Sequence, residues 1–293
     1  MINISKKKFV IIDGYGVLFR AYYAVPPILS QDNIPVGALY GFIKSLSFLL
    51  RNITKKGSEL MLAVALDSPK KDNFRYQIYS DYKSNRSATP DDLKAQLSLT
   101  KPMLEAFGII HVSDSSCEAD DVIAAYAQHA AMKDYEVVIV SSDKDLMQLI
   151  SEKISFFDIS KKSFCSVEDV YAKFSVGPHQ ICDYLSMVGD RADNIPGIKG
   201  IGQKIAADLL NRFETLDNIY NNVHNINEAR IRRLLENGHE LAMLSRRLVI
   251  LKDGIELHHP IEDMKWGGFS ANAKSIGEFL SQYSLESLIG VLR

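Results

Sequence analysis

This chain has few cysteines, no long apolar run and little net charge. Its 293 residues include three cysteines, Cys117, Cys165 and Cys182, without C-x-x-C spacing, so neither a disulfide framework nor a structural zinc site is indicated. Its first residues lead into a predicted strand without an apolar signal region. No apolar stretch approaches the roughly 20 residues of a membrane helix. We therefore expect a cytoplasmic protein.

Three predicted strands each run into an aspartate. Asp13, Asp67 and Asp143 follow short runs that are almost wholly apolar, as is typical of strands buried on both faces of a parallel sheet. The carboxyl ends of such strands open onto the crevice where ligands bind. Each aspartate alone could be a helix-capping acid, but their joint occurrence at three strand ends favours a shared site.

More acidic residues follow these strands: Glu118, Asp120, Asp121, Asp145, Asp190 and Asp193. Nine carboxylates in one cleft would repel one another by on the order of several kcal/mol unless cations neutralised them. The suitable cations are hard and oxygen-binding, Mg²⁺ or Mn²⁺. Two such ions ~3.5–4 Å apart clamp the attacking and leaving oxygens of a phosphoryl displacement. The pattern therefore predicts a metal-dependent phosphodiester site.

The net charge of −2 does not by itself indicate a nucleic-acid-binding protein. Setting the nine acids aside leaves 34 basic against 27 acidic residues, an excess of seven positive charges. Much of the solvent-facing surface could then be basic, as binding to phosphates requires. An ordinary mixed surface remains an equal alternative on charge alone.

A glycine-rich turn follows the last two acids. Asp190 and Asp193 are spaced i, i+3, which predicts that they lie on one face of a helical turn. The glycines in the next segment permit a tight hairpin with uncovered backbone amides, and flanking lysines add positive charge. The residues of this hairpin are Gly197, Lys199, Gly200, Gly202 and Lys204. The pattern favours a helix–hairpin–helix that binds the DNA backbone over a simple turn between helices.

Residues 69–101 interleave basic and aromatic side chains, among them Arg75, Tyr82, Lys83 and Arg86. One interpretation is a pair of surface helices with a solvated basic face. The interpretation that we favour is a lid over the acidic cleft, with aromatic rings that stack on unpaired bases.

The order of predicted elements indicates an α/β fold with a mainly parallel central sheet flanked by helices, followed by a helical subdomain. We expect a nuclease-like core over 1–175, a helical DNA-binding domain over 176–260, and a C-terminal segment, 261–293, that packs on the core. Within the core, a helix is expected at about 90–107, and another at 119–132 with Ser116 as its N-cap.

Taken together, these motifs resemble the 5′ nuclease family, which includes the N-terminal 5′→3′ exonuclease domain of bacterial DNA polymerase I and the flap endonucleases. The likeness covers nearly the whole chain. It rests on five ordered motifs: 19–22 (FRAY), 82–86 (YKSNR), 118–121 (EADD), 142–146 (SDKDL) and 189–202. It implies a PIN-like core with a helical arch at about 69–101, and hydrolysis of DNA at a 5′ flap or 5′ end during replication and repair, including removal of RNA primers.

The resemblance also implies roles for individual residues. Two Mg²⁺ ions, replaceable by Mn²⁺, would be held by the nine acids named above, with Asp120 also counted as catalytic. Lys83 and Arg86 would contact the scissile phosphate. DNA would further be bound by Arg20, Tyr22, Arg75, Tyr82 and the hairpin, where some relatives hold a K⁺ ion. Tyr23 competes with Tyr22 for stacking on a nucleotide. The implied protein is a monomer that is fused to, or works with, a DNA polymerase.

Two alternatives stay open from the residues. A PIN-type ribonuclease has a similar acidic core, but it usually lacks the glycine hairpin. A non-catalytic module that binds DNA structures is the second alternative. It would gain nothing from nine negative charges beside phosphates.

Overall fold

The computed structural model describes residues 7–53, 59–68 and 73–292, and residues 69–72 of the predicted lid lie outside them. A six-stranded sheet in the order β3-β2-β1-β4-β5-β6 forms its centre. β1 to β5 are parallel, and β6 is antiparallel to β5. The strands are β1 (Lys8–Asp13), β2 (Leu60–Ala65), β3 (Ile110–Val112), β4 (Glu136–Ser141), β5 (Ile154–Asp158) and β6 (Ser163–Cys165).

Twelve α-helices occur in the described part of the chain. They are α1 (Gly14–Ala24), α2 (Gly37–Ile53), α3 (Phe74–Ile78), α4 (Asp91–Ala106), α5 (Ala119–Met132), α6 (Val167–Phe174), α7 (Ile181–Val188), α8 (Gln203–Phe213), α9 (Leu216–Asn221), α10 (Ala229–Val249), α11 (Gly268–Ala271) and α12 (Ala273–Gln282). This mainly parallel sheet flanked by helices, with a helical region after it, confirms the predicted fold class. None of the described helices has the length and apolarity that a membrane span requires.

Alternate residues of the sheet face two separate hydrophobic layers, because successive side chains of a strand point to opposite faces. On one face, Phe9 and Ile11 of β1 pack with α5 and with the helical region from α7 to α10. On the other face, Val10 and Ile12 pack with α1, α2, α4 and α12. The sheet is therefore covered on both sides, as its near-continuous apolar strands predict.

The predicted start of α5 needs a small correction. The N-cap residue is Glu118, and the hydroxyl of Ser116 instead donates to Asp114 at 2.6 Å. The predicted helical turn at Asp190 is also wrong. Asp190 and Ile195 exchange two backbone hydrogen bonds of 2.9 and 2.7 Å, which close a non-helical turn.

Candidate active site

A cleft of about 380 Å³ opens where the carboxyl ends of β1, β2 and β4 meet. Its walls come from the strand ends, from α1, from the first turn of α5 and from the turn that contains Lys83. The lining residues are Asp13, Tyr15, Gly16, Phe19, Arg20, Tyr23, Asp67, Lys83, Arg86, Glu118, Ala119, Asp120, Ser142 and Asp143. A groove of about 470 Å³ lies elsewhere, between α5 and residues 252–261, and Asp253 is the carboxylate that lines it.

Asp13 ends β1 and caps α1. One carboxylate oxygen accepts a hydrogen bond from the Gly16 backbone N–H at 2.8 Å, and the other accepts from the Ser141 hydroxyl at 2.7 Å. A Cβ on Gly16 would lie 2.0 Å from this carboxylate, so the turn requires glycine there. Burial raises the pKa of Asp13 to about 6 in spite of these two donors.

Asp67 connects the end of β2 to the first turn of α5. Its Oδ1 accepts from the Ala119 backbone N–H at 2.9 Å, which is one of the unpaired donors at a helix N-terminus. Asp120 follows in the same turn. Desolvation, with Asp143 and Asp13 close by, raises the pKa of Asp120 well above its ordinary value. The acids of three strand ends and of α5 therefore share one electrostatic environment.

Asp145 connects this group to the acids of the glycine-rich turn. Desolvation and then the nearby Asp143 raise the pKa of Asp145 to about 7, and Asp190 and Asp193 also contribute. Within the described residues, Asp145 Oδ1 is buried and has no hydrogen-bond partner, and its nearest cationic atom is Lys144 Nζ at 3.6 Å. An unsatisfied, buried carboxylate oxygen beside other carboxylates suits a hard divalent cation.

Basic side chains are interspersed among these acids. Lys83 Nζ lies 2.6 Å from Glu118 Oε1 and 3.5 Å from Asp193 Oδ2. Arg86 donates to Asp193, and Lys144 pairs with Asp190. Among residues 7–53, 59–68 and 73–292, no three acidic, histidine or cysteine side chains already form a metal-binding group. The donors are all carboxylates and so fit Mg²⁺ or Mn²⁺, but these cationic side chains would have to give way.

Three sequence predictions near the cleft require correction. Arg75 is 2% exposed and pairs with both oxygens of Asp121, so its guanidinium is not available to DNA. Asp121 is fully buried in that ion pair and does not line the cleft. Tyr82 is 3% exposed, and its hydroxyl donates to Glu118 at 2.9 Å, so its ring cannot stack on a base. Phe74, Tyr76 and Tyr79 likewise pack against the core.

At the mouth of the cleft, Tyr22 and Tyr23 differ in exposure and in their partners. The Tyr22 hydroxyl donates to Asp92 at the start of α4, at 2.9 Å from Oδ1. Tyr23 is 73% exposed, lines the cleft and packs edge-on against Tyr22. Arg20 also lines the cleft, and its Nε donates to the Ser160 hydroxyl at 2.9 Å. Tyr23 is therefore the tyrosine of this pair that is open to a ligand.

The glycine hairpin has the predicted positive φ at two of its three glycines, but Gly197 is buried and its N–H donates to Ser245, so that amide is not open to DNA. Gly197 and Gly200 have positive φ values of 60° and 93°, and Gly202 is the N-cap of α8. Lys199 and Lys204 are exposed on either side. Uncovered amides at a helix N-terminus with two flanking lysines form a surface that suits a phosphate.

Sequence reasoning missed several residues at this site. Ser141, Phe19 and Lys144 contact or line the acidic cluster but were given no role at the site, although Phe19 and Lys144 belong to two of the five motifs. Lys144 lies between two predicted ligands, Asp143 and Asp145, and this position in the sequence could have indicated that it is part of the site.

Two family profiles match the sequence. Residues 8–175 match the N-terminal resolvase-like domain of 5′–3′ exonucleases, and residues 176–272 match the C-terminal SAM fold of 5′–3′ exonucleases. The chain belongs to the 5′–3′ exonuclease family.

Members of this family occur among its relatives both as separate proteins and as parts of polymerases. The chain is 36% identical to the 5′–3′ exonuclease of Buchnera aphidicola subsp. Schizaphis graminum over 266 residues, which cover 89% of this chain and 91% of the relative. It is 34% identical to DNA polymerase I of Caldicellulosiruptor bescii over 288 residues, which cover 96% of this chain but 33% of the polymerase. The chain thus spans about a third of that polymerase's length.

Solved structures share the exonuclease fold. A complex of the bacteriophage T5 flap endonuclease with DNA and metal ions has a TM-score of 0.65 at 17% identity and covers 98% of this chain and 99% of that one. The catalytic core of Rad2 in complex with DNA substrate has a TM-score of 0.61 at 16% identity and covers 98% of this chain and 93% of that one. At these identities the likeness concerns the fold.

Proposed function

We propose that this chain is a structure-specific 5′→3′ exonuclease and 5′-flap endonuclease that hydrolyses DNA phosphodiesters with two divalent metal ions, in replication and repair. The observation that carries this proposal is a cleft at the carboxyl edge of a parallel sheet, which five carboxylates line together with Lys83 and Arg86, and to which Asp145, Asp190 and Asp193 add three more close by. Removal of RNA primers and flaps is the corresponding biological task.

We assign the eight acids to two Mg²⁺ ions, which Mn²⁺ would replace. Five acids would hold the first ion: Asp13, Asp67, Glu118, Asp120 and Asp143. Three would be assigned to the second: Asp145, Asp190 and Asp193. When bound, such a pair of ions activates a water and neutralises charge on the attacking and leaving oxygens. Asp121 is left out of this set because Arg75 takes up both of its oxygens.

Lys83 and Arg86 are assigned to the scissile phosphate. Both already lie among carboxylates, so the phosphate would exchange places with Glu118 and Asp193 as their partner. Donors aimed at the developing negative charge contribute ~3 kcal/mol each in comparable sites. The two residues would orient the phosphate for in-line attack, which leaves a 5′-phosphate and a 3′-hydroxyl.

The hairpin is assigned to the duplex. Its exposed amides and lysines contact backbone phosphates, which position DNA without reading its sequence. We also propose that the hairpin binds a K⁺ ion when it holds the duplex. At the cleft mouth, Arg20 keeps its predicted contact to the 5′ strand, and the exposed ring of Tyr23 takes the place of Arg75, Tyr82 and Tyr22. We place the protein, as a monomer, with the DNA in the bacterial cytosol, working with or joined to a DNA polymerase.

A 5′-labelled DNA flap on a duplex tests the proposal, with Mg²⁺, Mn²⁺ or EDTA. We expect metal-dependent release of the flap near the junction. The variant Asp120→Asn should bind the flap and fail to cut it, whereas Asp208→Asn, which changes an exposed acid of α8, should cut normally. Binding without cleavage in either metal would refute the proposal and favour a non-catalytic module. Preferential cleavage of an RNA strand would favour a ribonuclease.

A further inference from the structure

Arg75 lies where three parts of the chain meet. Its Nη1 and Nη2 donate to the two oxygens of Asp121 at 2.5 and 2.7 Å. Its Nε donates to the Leu248 carbonyl at 2.7 Å, and Nη2 also donates to the Ile250 carbonyl at 3.1 Å. Asp121 is in the first turn of α5, whereas Leu248 and Ile250 are at the end of α10. One guanidinium therefore joins these two helices.

This junction requires arginine in particular. A planar guanidinium presents several N–H donors in a fixed fork, which matches a carboxylate and two carbonyls at the same time. A second link runs beside it, because the Lys252 backbone N–H donates to Asp121 Oδ1 at 2.8 Å and Lys252 Nζ donates to the Ser116 hydroxyl at 2.8 Å. Lysine at position 75 would keep the positive charge but could not make these hydrogen bonds to the carboxylate and both carbonyls at once.

From this junction, short contacts lead to the cleft acids. Asp121 Oδ2 accepts from the Glu118 backbone N–H at 3.0 Å, and Glu118 Oε2 lies 3.6 Å from Arg75 Nη1. Asp120 is in the same turn. A rotation of the Asp121 carboxylate would therefore move the turn that carries both Glu118 and Asp120.

In the other direction, contacts lead from α10 to the glycine hairpin. The Gly197 backbone N–H donates to the Ser245 hydroxyl of α10 at 2.9 Å. Gly238 of α10 lies so close to Ile198 that an added Cβ would be 2.5 Å from the Ile198 side chain. The hairpin thus rests directly on the helix whose end Arg75 binds.

We propose that Arg75 is a positioning residue through which duplex binding at the hairpin and divalent-cation binding at the acids strengthen each other. This inference rests on the proposed function for the identity of the two ligands. Coupling between two binding sites is reciprocal, so a cation should tighten DNA binding by the same factor by which DNA tightens cation binding.

The test compares DNA affinity with and without a cation in the wild type and in Arg75→Lys. The probe is a fluorescently labelled 5′-flap duplex, and its dissociation constant is measured by anisotropy at matched ionic strength, in EDTA and in millimolar Ca²⁺. Ca²⁺ is a hard oxygen-binding cation, so cleavage is not the readout. The control is Arg212→Lys, because Arg212 also pairs with two acids, Asp208 and Glu228, but at the surface.

We expect Ca²⁺ to tighten binding by about 5-fold or more for the wild type and for Arg212→Lys, the lower end of common coupling energies. For Arg75→Lys, measured below its unfolding transition, we expect a gain under ~2-fold, with affinity in EDTA near the wild-type value. If the lysine variant does not fold, Asp121→Asn serves instead, since it keeps the shape and removes the charge.

Two results would overturn the inference. One is a folded Arg75→Lys that retains the full Ca²⁺ gain, because a purely structural role predicts lower stability with the coupling intact. The other is a wild-type affinity that Ca²⁺ does not change. Neither depends on turnover. A wild type that cuts no flap in Mg²⁺ or Mn²⁺ would refute the proposed function, while the binding comparison would still decide the coupling.

Discussion

Three glycines of one hairpin should respond very differently to a single methyl group. Gly197, Gly200 and Gly202 lie within six residues, yet only the first two have positive φ values. The substitution to alanine adds the same atom at each site, so differences between the variants come from backbone conformation and from what the new Cβ would meet.

At Gly197, the new Cβ would lie 2.4 Å from the Gly189 backbone nitrogen and 2.6 Å from the Val188 carbonyl carbon. These are backbone atoms and cannot rotate away. The left-handed conformation costs alanine ~1–2 kcal/mol, and displacing packed atoms costs ~1–3 kcal/mol more. We therefore expect Gly197→Ala to lower the free energy of unfolding by ~2–5 kcal/mol.

The other two sites are more tolerant. At Gly200, with φ of 93°, the nearest atoms are 3.2 Å away in the flexible Leu234 side chain, so we expect a loss of ~1–2 kcal/mol from the backbone alone. At Gly202, φ is −100° and no atom lies within 4 Å of the new Cβ. Alanine is a poorer N-cap than glycine by ~0.5–1 kcal/mol, but it also lowers the entropy of the unfolded chain by ~0.4–1 kcal/mol, so the free energy of unfolding should change by no more than ~0.5 kcal/mol.

Urea unfolding followed by circular dichroism measures the stability of the three alanine variants, and flap-DNA anisotropy measures DNA affinity on the same samples. Gly202→Ala is the informative case, because its stability should hold while a methyl group beside the α8 amides weakens phosphate binding several-fold. Equal stabilities for the Gly197 and Gly202 variants would refute the backbone argument. Unchanged DNA affinity in Gly202→Ala would remove the hairpin amides from the proposed DNA contacts.

Three further predictions follow from the cleft and its surroundings. Lys83→Ala should lower kcat for flap cleavage by ~10²-fold with little change in duplex affinity, since one donor to the scissile phosphate is worth ~3 kcal/mol. A large loss of duplex affinity with kcat unchanged would instead make Lys83 a residue that only binds DNA. Mg²⁺ should raise the thermal midpoint and EDTA should abolish the increase, because a ligand of the folded state alone stabilises it; a midpoint indifferent to Mg²⁺ would contradict the assigned acids. Burial raises the pKa of the Cys117 thiol to about 12, so the thiol stays protonated at about pH 8. Iodoacetamide labelling followed by mass spectrometry should therefore modify the partly buried Cys165 first, and Cys117 only on unfolding. Early labelling of Cys117 would contradict its burial.

The strand ends were predictable because the signal is local. Apolar runs that end in aspartate place Asp13, Asp67 and Asp143 at one sheet edge in any parallel arrangement. The assignment of Asp121 was a different matter. The helical period did not exclude Asp121, because the adjacent residues Ala119 and Asp120 both line the cleft. What removes Asp121 from the cleft is its ion pair with Arg75, 46 residues away, which counting acids could not reveal.

Arg75 and Tyr82 could not be placed from their neighbours in the sequence. A basic and aromatic pattern describes a lid and a packed junction equally well until distant partners are known. The partners of Arg75 are 46, 173 and 175 residues away, and Tyr82 meets a carboxylate 36 residues away. A buried guanidinium needs those partners to offset its desolvation, so their position decides between core and surface.

The proposed site takes its acids from both of the segments that match family profiles. Asp190 and Asp193 follow α7 in the helical region, whereas the other six acids lie in the first segment, at or just after the ends of β1, β2 and β4 and at the start of α5. Between them, the Lys83 backbone N–H donates to the Asp193 carbonyl at 2.9 Å, and the Asn194 side chain donates to the Asp81 carbonyl at 2.7 Å. The turn that holds Lys83 is thus fixed by the segment that holds the last two acids. On the proposed assignment, a metal pair would form only when both segments are docked. The Arg75 contacts that join α10 to α5 would then affect cleavage as well as folding.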